Sequence, residues 1–136
     1  NKYKNLGINI HEPAGASSTK IKFHIGDVKD KSSIMQALNE YKPDVIINTA
    51  ALKHVPVCES NPYESVKTNI IGHKNLIDCV CASQHNIETL MFISTDKACA
   101  PINVYGMCKA ISERLYIDTI LQRFIKSRKA WIANHS

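Results

Sequence analysis

The length, composition and charge of this chain indicate one ordinary globular domain. Its 136 residues are 44% hydrophobic and carry a net charge of +5, which allows a moderate core and argues against wholesale disorder. No apolar stretch approaches the roughly 18 residues that a membrane span requires, and no signal-peptide pattern opens the sequence. We therefore expect no membrane partner.

The five cysteines indicate neither a disulfide framework nor a metal site. Their number is odd, and Cys79 and Cys81 lack the Cys-x-x-Cys spacing of a zinc site. We predict no bound metal, and reduced thiols in a cytoplasmic compartment.

Part of the positive charge clusters near the C-terminus, at Arg123, Lys126, Arg128 and Lys129. This cluster fits a nucleic-acid-binding patch, or the solvated end of a helix whose macrodipole favours cations. We favour the helix end and expect no nucleic-acid partner, because no recognised nucleic-acid-binding motif is present.

The first part of the chain predicts an irregular segment, a strand and a helix. Residues 1–19 contain proline and glycine with little periodicity, which is typical of a loop. Residues 20–25 alternate between polar and apolar side chains as a strand does, and Gly26-Asp27 ends the pattern. A helix is predicted over residues 32–41, with Ser32 as its N-cap.

The remaining elements are two strands and two helices. The apolar run at residues 45–51 predicts a buried strand, and a second strand is predicted at residues 88–94. A proline early in the segment 61–84 suits the first turn of a helix. The last predicted helix runs from residue 103 to about 126, and its apolar stripe is Ile111, Leu115, Ile120, Leu121 and Phe124.

Strands that alternate with helices predict an α/β fold with a parallel sheet covered by helices. Ligands of such sheets bind outside the carboxyl ends of the strands. Those ends carry Asp27, Ala50-Ala51 and the segment 94–97. The candidate site therefore lies along one edge of the sheet.

Tyr105 and Lys109 are candidate partners in proton transfer. Residues i and i+4 share one face of a helix, so the Lys109 ammonium can lie near the Tyr105 phenol and favour its ionised form. Such a tyrosine can take a proton from a sugar or alcohol hydroxyl while a hydride leaves the same carbon. The alternative is a tyrosine at a helix start beside an exposed lysine.

Six segments carry a more specific signal, and they are residues 26–30, 48–56, 59–62, 67–72, 94–98 and 101–109. Together they resemble the extended short-chain dehydrogenase/reductase family, and within it the polysaccharide-biosynthesis group of UDP-N-acetylglucosamine 4,6-dehydratases. A lone Tyr-x-x-x-Lys occurs often by chance. The segments Ala-Ala-Leu-Lys-His-Val-Pro and Ser-Thr-Asp-Lys-Ala make the resemblance specific.

The resemblance implies a catalytic set around the helix start. Tyr105 would accept the proton of the sugar 4-hydroxyl, and Lys109 would hydrogen-bond the nicotinamide ribose. Asp96 and Lys97 would act as base and acid in the loss of water across C5 and C6. The alternative for this pair is an exposed ion pair, which contributes little to stability.

The strand-end hydroxyls Ser94 and Thr95 resemble positions that orient the reacting sugar hydroxyl and the catalytic tyrosine. We count Thr95 with the catalytic residues and Ser94 with the cofactor contacts. The alternative for each is a local turn cap.

The resemblance also implies NAD or NADP as cofactor. Asp27 resembles the residue that bonds the adenine amino group, although an Asx turn also explains an aspartate there. Asn69 resembles a residue that supports the active-site strand, and asparagine is otherwise a poor choice inside a helix. The predicted cofactor contacts are Asp27, Val28, Ala50, Ala51, Leu52, Lys53, Asn69, Ser94, Tyr105 and Lys109.

Two departures from the family pattern change the expected fold. No glycines match the Gly-x-x-Gly-x-x-Gly turn that receives the cofactor pyrophosphate, and the family continues well past the Tyr-x-x-x-Lys helix. We expect a partial Rossmann sheet without the first βα unit and the C-terminal substrate region, leaving apolar sheet surface exposed. The predicted divisions are an irregular lead-in (1–19), a partial NAD(P)-binding Rossmann domain (20–127) and a basic tail (128–136).

Two classes of function follow. The first is an NAD(P)-dependent UDP-N-acetylglucosamine 4,6-dehydratase, with or without C5 epimerisation, that acts on a UDP-sugar for surface polysaccharide; another sugar-nucleotide epimerase is the less favoured enzyme. The second is a non-catalytic remnant or subunit-contact module of such an enzyme. We expect this chain alone to be inactive, with a second copy or a complementing chain as its partner.

Overall fold

The computed structural model describes residues 22–135, with side chains after residue 120 described only for Gln122. The predicted lead-in at residues 1–19 lies outside this range. A π-helical turn, Lys67–Ile71, joins two of the helices, and a 3₁₀ turn, Asp96–Ala98, precedes the last one. The regular elements are α1 (Lys31–Tyr41), β1 (Val45–Asn48), α2 (Val55–Ser60), α3 (Pro62–Val66), α4 (Gly72–Ala82), β2 (Thr89–Phe92) and α5 (Val104–His135).

The two strands pair in parallel, from Val45 opposite Thr89 to Asn48 opposite Phe92. The crossover between them is helical, as a parallel connection requires. The predicted partial Rossmann fold is therefore confirmed. Because both strands run the same way, the loops that follow β1 and β2 emerge at the same edge of the sheet.

One face of the sheet is covered and the other is bare. Ile46 and Leu90, paired in register, pack with α1 and α4 around a core of Leu38, Leu76, Cys79 and Val80. Side chains alternate along a strand, so the intervening residues point the other way. Their exposed fractions are 54% for Val45, 58% for Ile47, 47% for Met91 and 44% for Ile93. The expected exposed apolar sheet surface is thus present; we call these four residues the bare face.

The strand predicted at residues 20–25 is wrong for the part that is described. Residues 22–26 have no regular structure and run beside α1, where the His24 ring lies 5.9 Å from the Tyr41 ring. A strand needs a neighbour for its hydrogen bonds, and no strand lies beside this segment within residues 22–135.

An apolar groove of about 410 Å³ occupies the space between this segment and β1. It is lined by Ile34, Leu38, Ile46 and Leu76, with Asp27 and Val28 at its rim.

The helices differ from prediction in four respects. Asp30, not Ser32, caps α1, since its Oδ1 accepts from the Ser32 amide at 2.9 Å. The short helix α2 was not predicted, and the helix predicted over 61–84 contains the π-helical turn. Finally, α5 continues to His135 because no glycine or proline follows Gly106.

The predicted apolar stripe of α5 is wrong at two positions, since Ile111 and Ile120 are 48% and 67% exposed. Leu115 is half-buried, and the side chains of Leu121 and Phe124 lie outside the described residues. The face that packs against the rest of the protein carries buried Tyr105, Cys108, Lys109, Ser112 and Tyr116. This reversal places the polar groups of α5 at the carboxyl ends of the strands.

All five cysteines are free thiols. Among the helices described, none combines the length and hydropathy that crossing a bilayer demands.

Candidate active site

Helix α5 holds the carboxyl end of β2 through two side chains one turn apart. Lys109 Nζ donates to the Ile93 carbonyl oxygen at 2.7 Å. Ser94 Oγ donates to Glu113 Oε1 at 2.5 Å. Two successive strand-end residues are therefore fixed to one helix face, and Thr95 follows directly.

Lys109 is a buried lysine, which excludes the alternative of an exposed one. Its side chain is 2% exposed, and Nζ lies 4.1 Å from the centroid of the Phe92 ring. Burial lowers the Lys109 pKa, and the Glu113 carboxylate opposes that shift. Tyr105, one turn earlier on the same face, is also buried.

Thr95, Asp96 and Lys97 form a tight turn at the protein surface. Thr95 Oγ1 donates to Asp96 Oδ1 at 3.0 Å, and Lys97 Nζ lies 3.4 Å from the same carboxylate oxygen. The hydrogen bond from Thr95 and the charge of Lys97 hold the Asp96 pKa below its ordinary value. The Asp96 and Lys97 side chains are 88% and 50% exposed. They form the exposed ion pair that was the alternative interpretation, and their exposure also leaves them accessible to a substrate.

Gly106 brings this turn against the start of α5. A Cβ atom on Gly106 would lie 3.0 Å from the carbonyl carbon of Lys97 and closer still to its oxygen. Only a residue without Cβ allows this approach. The turn 95–97 is thus packed directly on the helical turn that carries Tyr105.

The first turn of α5 is fixed by two side chains. Asn103 Oδ1 accepts from the Gly106 amide at 2.8 Å, and Glu59 Oε1, at the end of α2, accepts from the Val104 amide at 2.6 Å. Amides at a helix start have no partner within the helix, so these two acceptors define where α5 begins. Glu59 gives the unpredicted helix α2 a role in orienting Tyr105.

Asn69 holds the loop that follows β1. Its Oδ1 accepts from the Leu52 amide at 2.8 Å, and its Nδ2 donates to the Leu52 carbonyl at 2.9 Å and to Ser65 Oγ at 3.0 Å. Asn69 lies in the π-helical turn, and its own carbonyl oxygen accepts from Ser112 Oγ on α5. This buried residue therefore joins the loop after β1, the π-helical turn and α5.

His73 and Asn48 hold the same loop at Ala50. His73 Nε2 lies 3.0 Å from the Ala50 carbonyl oxygen, and Asn48 Oδ1 accepts from the Ala50 amide at 3.0 Å. Asn48 Nδ2 lies 3.0 Å from His73 Nδ1 and 2.9 Å from the Tyr116 hydroxyl. The contacts fit a neutral imidazole that donates from Nε2 and accepts at Nδ1.

Sequence reasoning missed His73, Asn48 and Tyr116, because it assigned no role to His73 and did not predict that these three side chains would be buried together. A signal was present. Asn48 interrupts an apolar strand, and His73 lies four residues after Asn69 on the same helix. Polar residues at buried positions require partners.

Burial, reinforced by the charge of Lys109, lowers the pKa of His73 from 6.5 to about 4. The unfolded chain then binds a proton that the folded protein does not between pH 6.5 and 4. The stabilising effect of neutral His73 is therefore complete above about pH 6.5 and is lost as the pH falls to 4. The shift corresponds to about 3 kcal/mol of the free energy of unfolding.

We expect the acid-induced loss of stability to be smaller in His73→Gln than in the wild type over this pH range. Urea unfolding at pH 7.0, 5.5 and 4.0 measures it. His85→Gln is the control, since His85 lies at the surface near Asp44. Parallel profiles for His73→Gln and the wild type would contradict this prediction.

Asp27 and Val28 lie apart from this cluster, across the apolar groove. Asp27 is exposed and its Oδ1 accepts from the Lys29 amide at 2.9 Å, which is an Asx turn. That hydrogen bond lowers the Asp27 pKa. The Val28 carbonyl accepts from Asn75 Nδ2 at 3.1 Å, which ties the segment to α4.

The structure therefore brings most of the predicted site residues to one edge. Ala50, Ala51 and Leu52 are half-buried in the loop after β1, and Lys53 beside them is exposed. The hydrogen bonds from Ser112 to the Asn69 carbonyl and from Asn48 to Tyr116 connect the residues that hold that loop to α5. At this edge, Ala50 and Ala51 lie in the loop after β1, and the buried residues Tyr105 and Lys109 lie one turn apart on α5.

Comparison with known proteins gives the family. A family model described as polysaccharide biosynthesis protein matches residues 2–132. An uncharacterized membrane protein of Methanocaldococcus jannaschii is 49% identical over 107 residues, which cover 79% of this chain and 31% of that protein. A UDP-N-acetylglucosamine 4,6-dehydratase (inverting) of Campylobacter jejuni is 42% identical over 101 residues, which cover 74% of this chain and 29% of that enzyme.

Solved structures show the same fold. Pen from Bacillus thuringiensis matches with a TM-score of 0.65 and 36% identity, over 70% of this chain and 28% of that one. The UDP-glucose 4-epimerase of Bifidobacterium longum, in complex with NAD+ and UDP, matches with a TM-score of 0.69 and 24% identity, over 76% and 35% of the two chains.

The chain spans about three tenths of the length of the two curated relatives. The family model, by contrast, matches nearly all of this chain. On that match, this protein belongs to the polysaccharide-biosynthesis group of the extended short-chain dehydrogenase/reductase family.

Proposed function

We propose that this chain carries the catalytic edge of an NAD(P)-dependent nucleotide-sugar dehydratase, a UDP-N-acetylglucosamine 4,6-dehydratase that supplies precursors of surface polysaccharide. The observation that carries the proposal is the burial of Lys109 beside the end of β2, one turn from buried Tyr105. Burying an ammonium is costly, and a role at the site accounts for it. The 42% identity to the Campylobacter dehydratase supports this activity.

The residues at the edge fit a dinucleotide. An ammonium has three N–H donors, and the one hydrogen-bond acceptor described for Lys109 is the Ile93 oxygen, so two donors remain for ribose hydroxyls. Ala50 and Ala51 are small, and the loop that carries them is fixed at Ala50 and Leu52. When bound, NAD(P) supplies hydride transfer to and from the sugar.

The proposed proton steps use groups on both sides of Gly106. Tyr105 accepts the proton of the sugar 4-hydroxyl, and the Lys109 charge stabilises the tyrosinate. Asp96 then removes the proton at C5, which the neighbouring ketone acidifies, and Lys97 protonates the departing C6 hydroxyl as water leaves. The exposure of Asp96 and Lys97 leaves both accessible to the sugar.

A second candidate is a nucleotide-sugar 4-epimerase, because a UDP-glucose 4-epimerase of Rickettsia canadensis is 40% identical over 101 residues. Inversion at C4 needs Tyr105 and Lys109 but no elimination, so it leaves Asp96 and Lys97 without a task. Products separate the two: a 4-keto-6-deoxy sugar indicates the dehydratase and a C4 epimer the epimerase. A non-catalytic subunit-contact module would give neither product.

We expect the chain by itself to bind NAD(P) weakly and to leave UDP-N-acetylglucosamine unchanged. Contacts from Asp27 and Lys109 provide about 3–6 kcal/mol, whereas lost translational and rotational freedom costs about 4–15 kcal/mol. No glycine-rich pyrophosphate turn adds to these contacts. The dissociation constant should be millimolar or weaker, as titration calorimetry can measure.

The location of that weak binding tests the site. Millimolar NAD should perturb the amide NMR signals of Ala50, Ala51 and Tyr105, and Lys109→Met should remove the perturbation. Lys74→Met is the matched control, because Lys74 is an exposed lysine on α4. Perturbations elsewhere, or ones that survive Lys109→Met, would reject the proposed cofactor edge.

A further inference from the structure

Glu113 lies one helical turn beyond Lys109 and has no role in the steps above. Its side chain is half-buried, and Oε1 accepts the hydrogen bond from Ser94 Oγ at 2.5 Å. A half-buried carboxylate that accepts from a hydroxyl at the end of a strand is a specific arrangement rather than a solvated surface charge.

The surroundings of Lys109 contain few charges. On α5 it is flanked by Tyr105 and Glu113, and α4 contributes His73, whose lowered pKa keeps it neutral at pH 7. β2 contributes the Phe92 ring and the Ile93 carbonyl. Among these groups the carboxylate of Glu113 is the negative one, and its charge raises the Lys109 pKa against the effect of burial.

We propose that Glu113 is a positioning residue that acts on both sides of the site at once: it fixes the Ser94 hydroxyl and it maintains the positive charge of buried Lys109. This inference rests on the proposed function for its catalytic meaning. The hydrogen bond between Ser94 and Glu113 and the effect of the Glu113 charge on Lys109 do not depend on that function.

The reason is the cost of burying an ammonium. Lys109 loses its hydration shell, and the acceptor that it gains is a neutral carbonyl oxygen. Side chains at i and i+4 of a helix lie about 5–6 Å apart at Cβ, near enough for a partly buried carboxylate to offset part of that loss. Without the charge, Lys109 would not stabilise a tyrosinate at Tyr105.

Two substitutions separate the two effects. Glu113→Gln keeps the side-chain shape and an oxygen that accepts from Ser94, but it removes the negative charge. Ser94→Ala removes the hydrogen bond and keeps the charge. If Glu113 acts as proposed, only the first substitution shifts the titration of Lys109 to lower pH.

The readout is the side-chain titration of Lys109, followed by NMR in the full chain with ¹³C-labelled lysine and assigned by the signal that Lys109→Met removes. Glu113→Gln should move the midpoint to lower pH while the amide spectrum keeps the dispersion of the folded wild type. Asp118→Asn is the matched control, because Asp118 is an exposed acid on the same helix. It should leave the midpoint in place.

Three outcomes would overturn the inference: an unchanged Lys109 midpoint in Glu113→Gln, an equal shift in Ser94→Ala, or an equal shift in Asp118→Asn. None of these outcomes depends on NAD(P). If NAD perturbs other signals but the Lys109 midpoint shifts as expected, the proposed function is rejected and the role of Glu113 stands. If NAD binds at the expected edge but the Lys109 midpoint does not shift, the role of Glu113 is rejected and the proposed function stands.

Discussion

Replacing Gly106 with alanine should be one of the two most damaging small changes in this protein. The new Cβ would lie 3.0 Å from the carbonyl carbon of Lys97, nearer to its oxygen, and 3.2 Å from Pro101 Cβ. A backbone carbonyl cannot rotate away as a side chain does, and overpacking of this kind costs about 1–3 kcal/mol or more. The helix preference for alanine over glycine, about 1 kcal/mol, offsets only part of that cost.

We therefore expect the free energy of unfolding to fall by about 2 kcal/mol in Gly106→Ala, with the amide signals of residues 95–97 displaced. Urea unfolding and NMR measure the two effects. Gly26→Ala is the matched control, since its Cβ would meet the Oγ of Ser33, the end of a side chain that can rotate. Equal losses in the two variants would show that the approach of Lys97 to α5 is not the cause.

Asn69→Ala should be at least as destabilising. It leaves the amide of Leu52 without its partner, leaves the Leu52 carbonyl with the weak hydrogen bond from Cys58 Sγ at 3.3 Å, and removes the bond to Ser65. Each polar group left unpaired costs about 1–3 kcal/mol, and water reaches the half-buried loop in part. A loss of about 3 kcal/mol follows.

The same substitution should increase hydrogen exchange at the Leu52 amide far more than at amides within α4. Asn39→Ala, on the exposed side of α1, is the control and should leave both stability and exchange nearly unchanged. Retained protection at Leu52 in Asn69→Ala would show that the loop does not depend on this side chain.

The fold was predictable where local pattern determines the element. The apolar run before Asn48 and the helix starts at Pro62 and Val104 depend on nearby residues, and the structure has them within a few positions. The segment 22–26 was not predictable in this way, because its alternation describes a strand whose neighbours must come from elsewhere. The sequence also conceals the π-helical turn, since Lys67–Ile71 fits an α-helical pattern equally well.

The residues of the candidate site were predictable from the sequence, but their burial and packing were not. The four-residue spacing of Tyr105 and Lys109 guaranteed a shared face, but not that this face would be buried. The turn 95–97 was found as a motif, whereas Gly106, which lets it pack on α5, was not, because a close backbone approach leaves no local sequence signal. His73 and Glu113 form hydrogen bonds with residues about 20 positions away in the sequence. The periodicity of a single helix or strand does not predict such contacts.

The bare face makes the stability of this chain depend on its surroundings. In the isolated chain, the apolar side chains of the bare face are exposed to water. A partner that covers this face binds the folded form and not the unfolded one. By mass action, a covering partner at a hundred times its Kd adds about 2.7 kcal/mol. An unfolding measurement on the isolated chain therefore reports the lower limit of a quantity that rises with partner concentration.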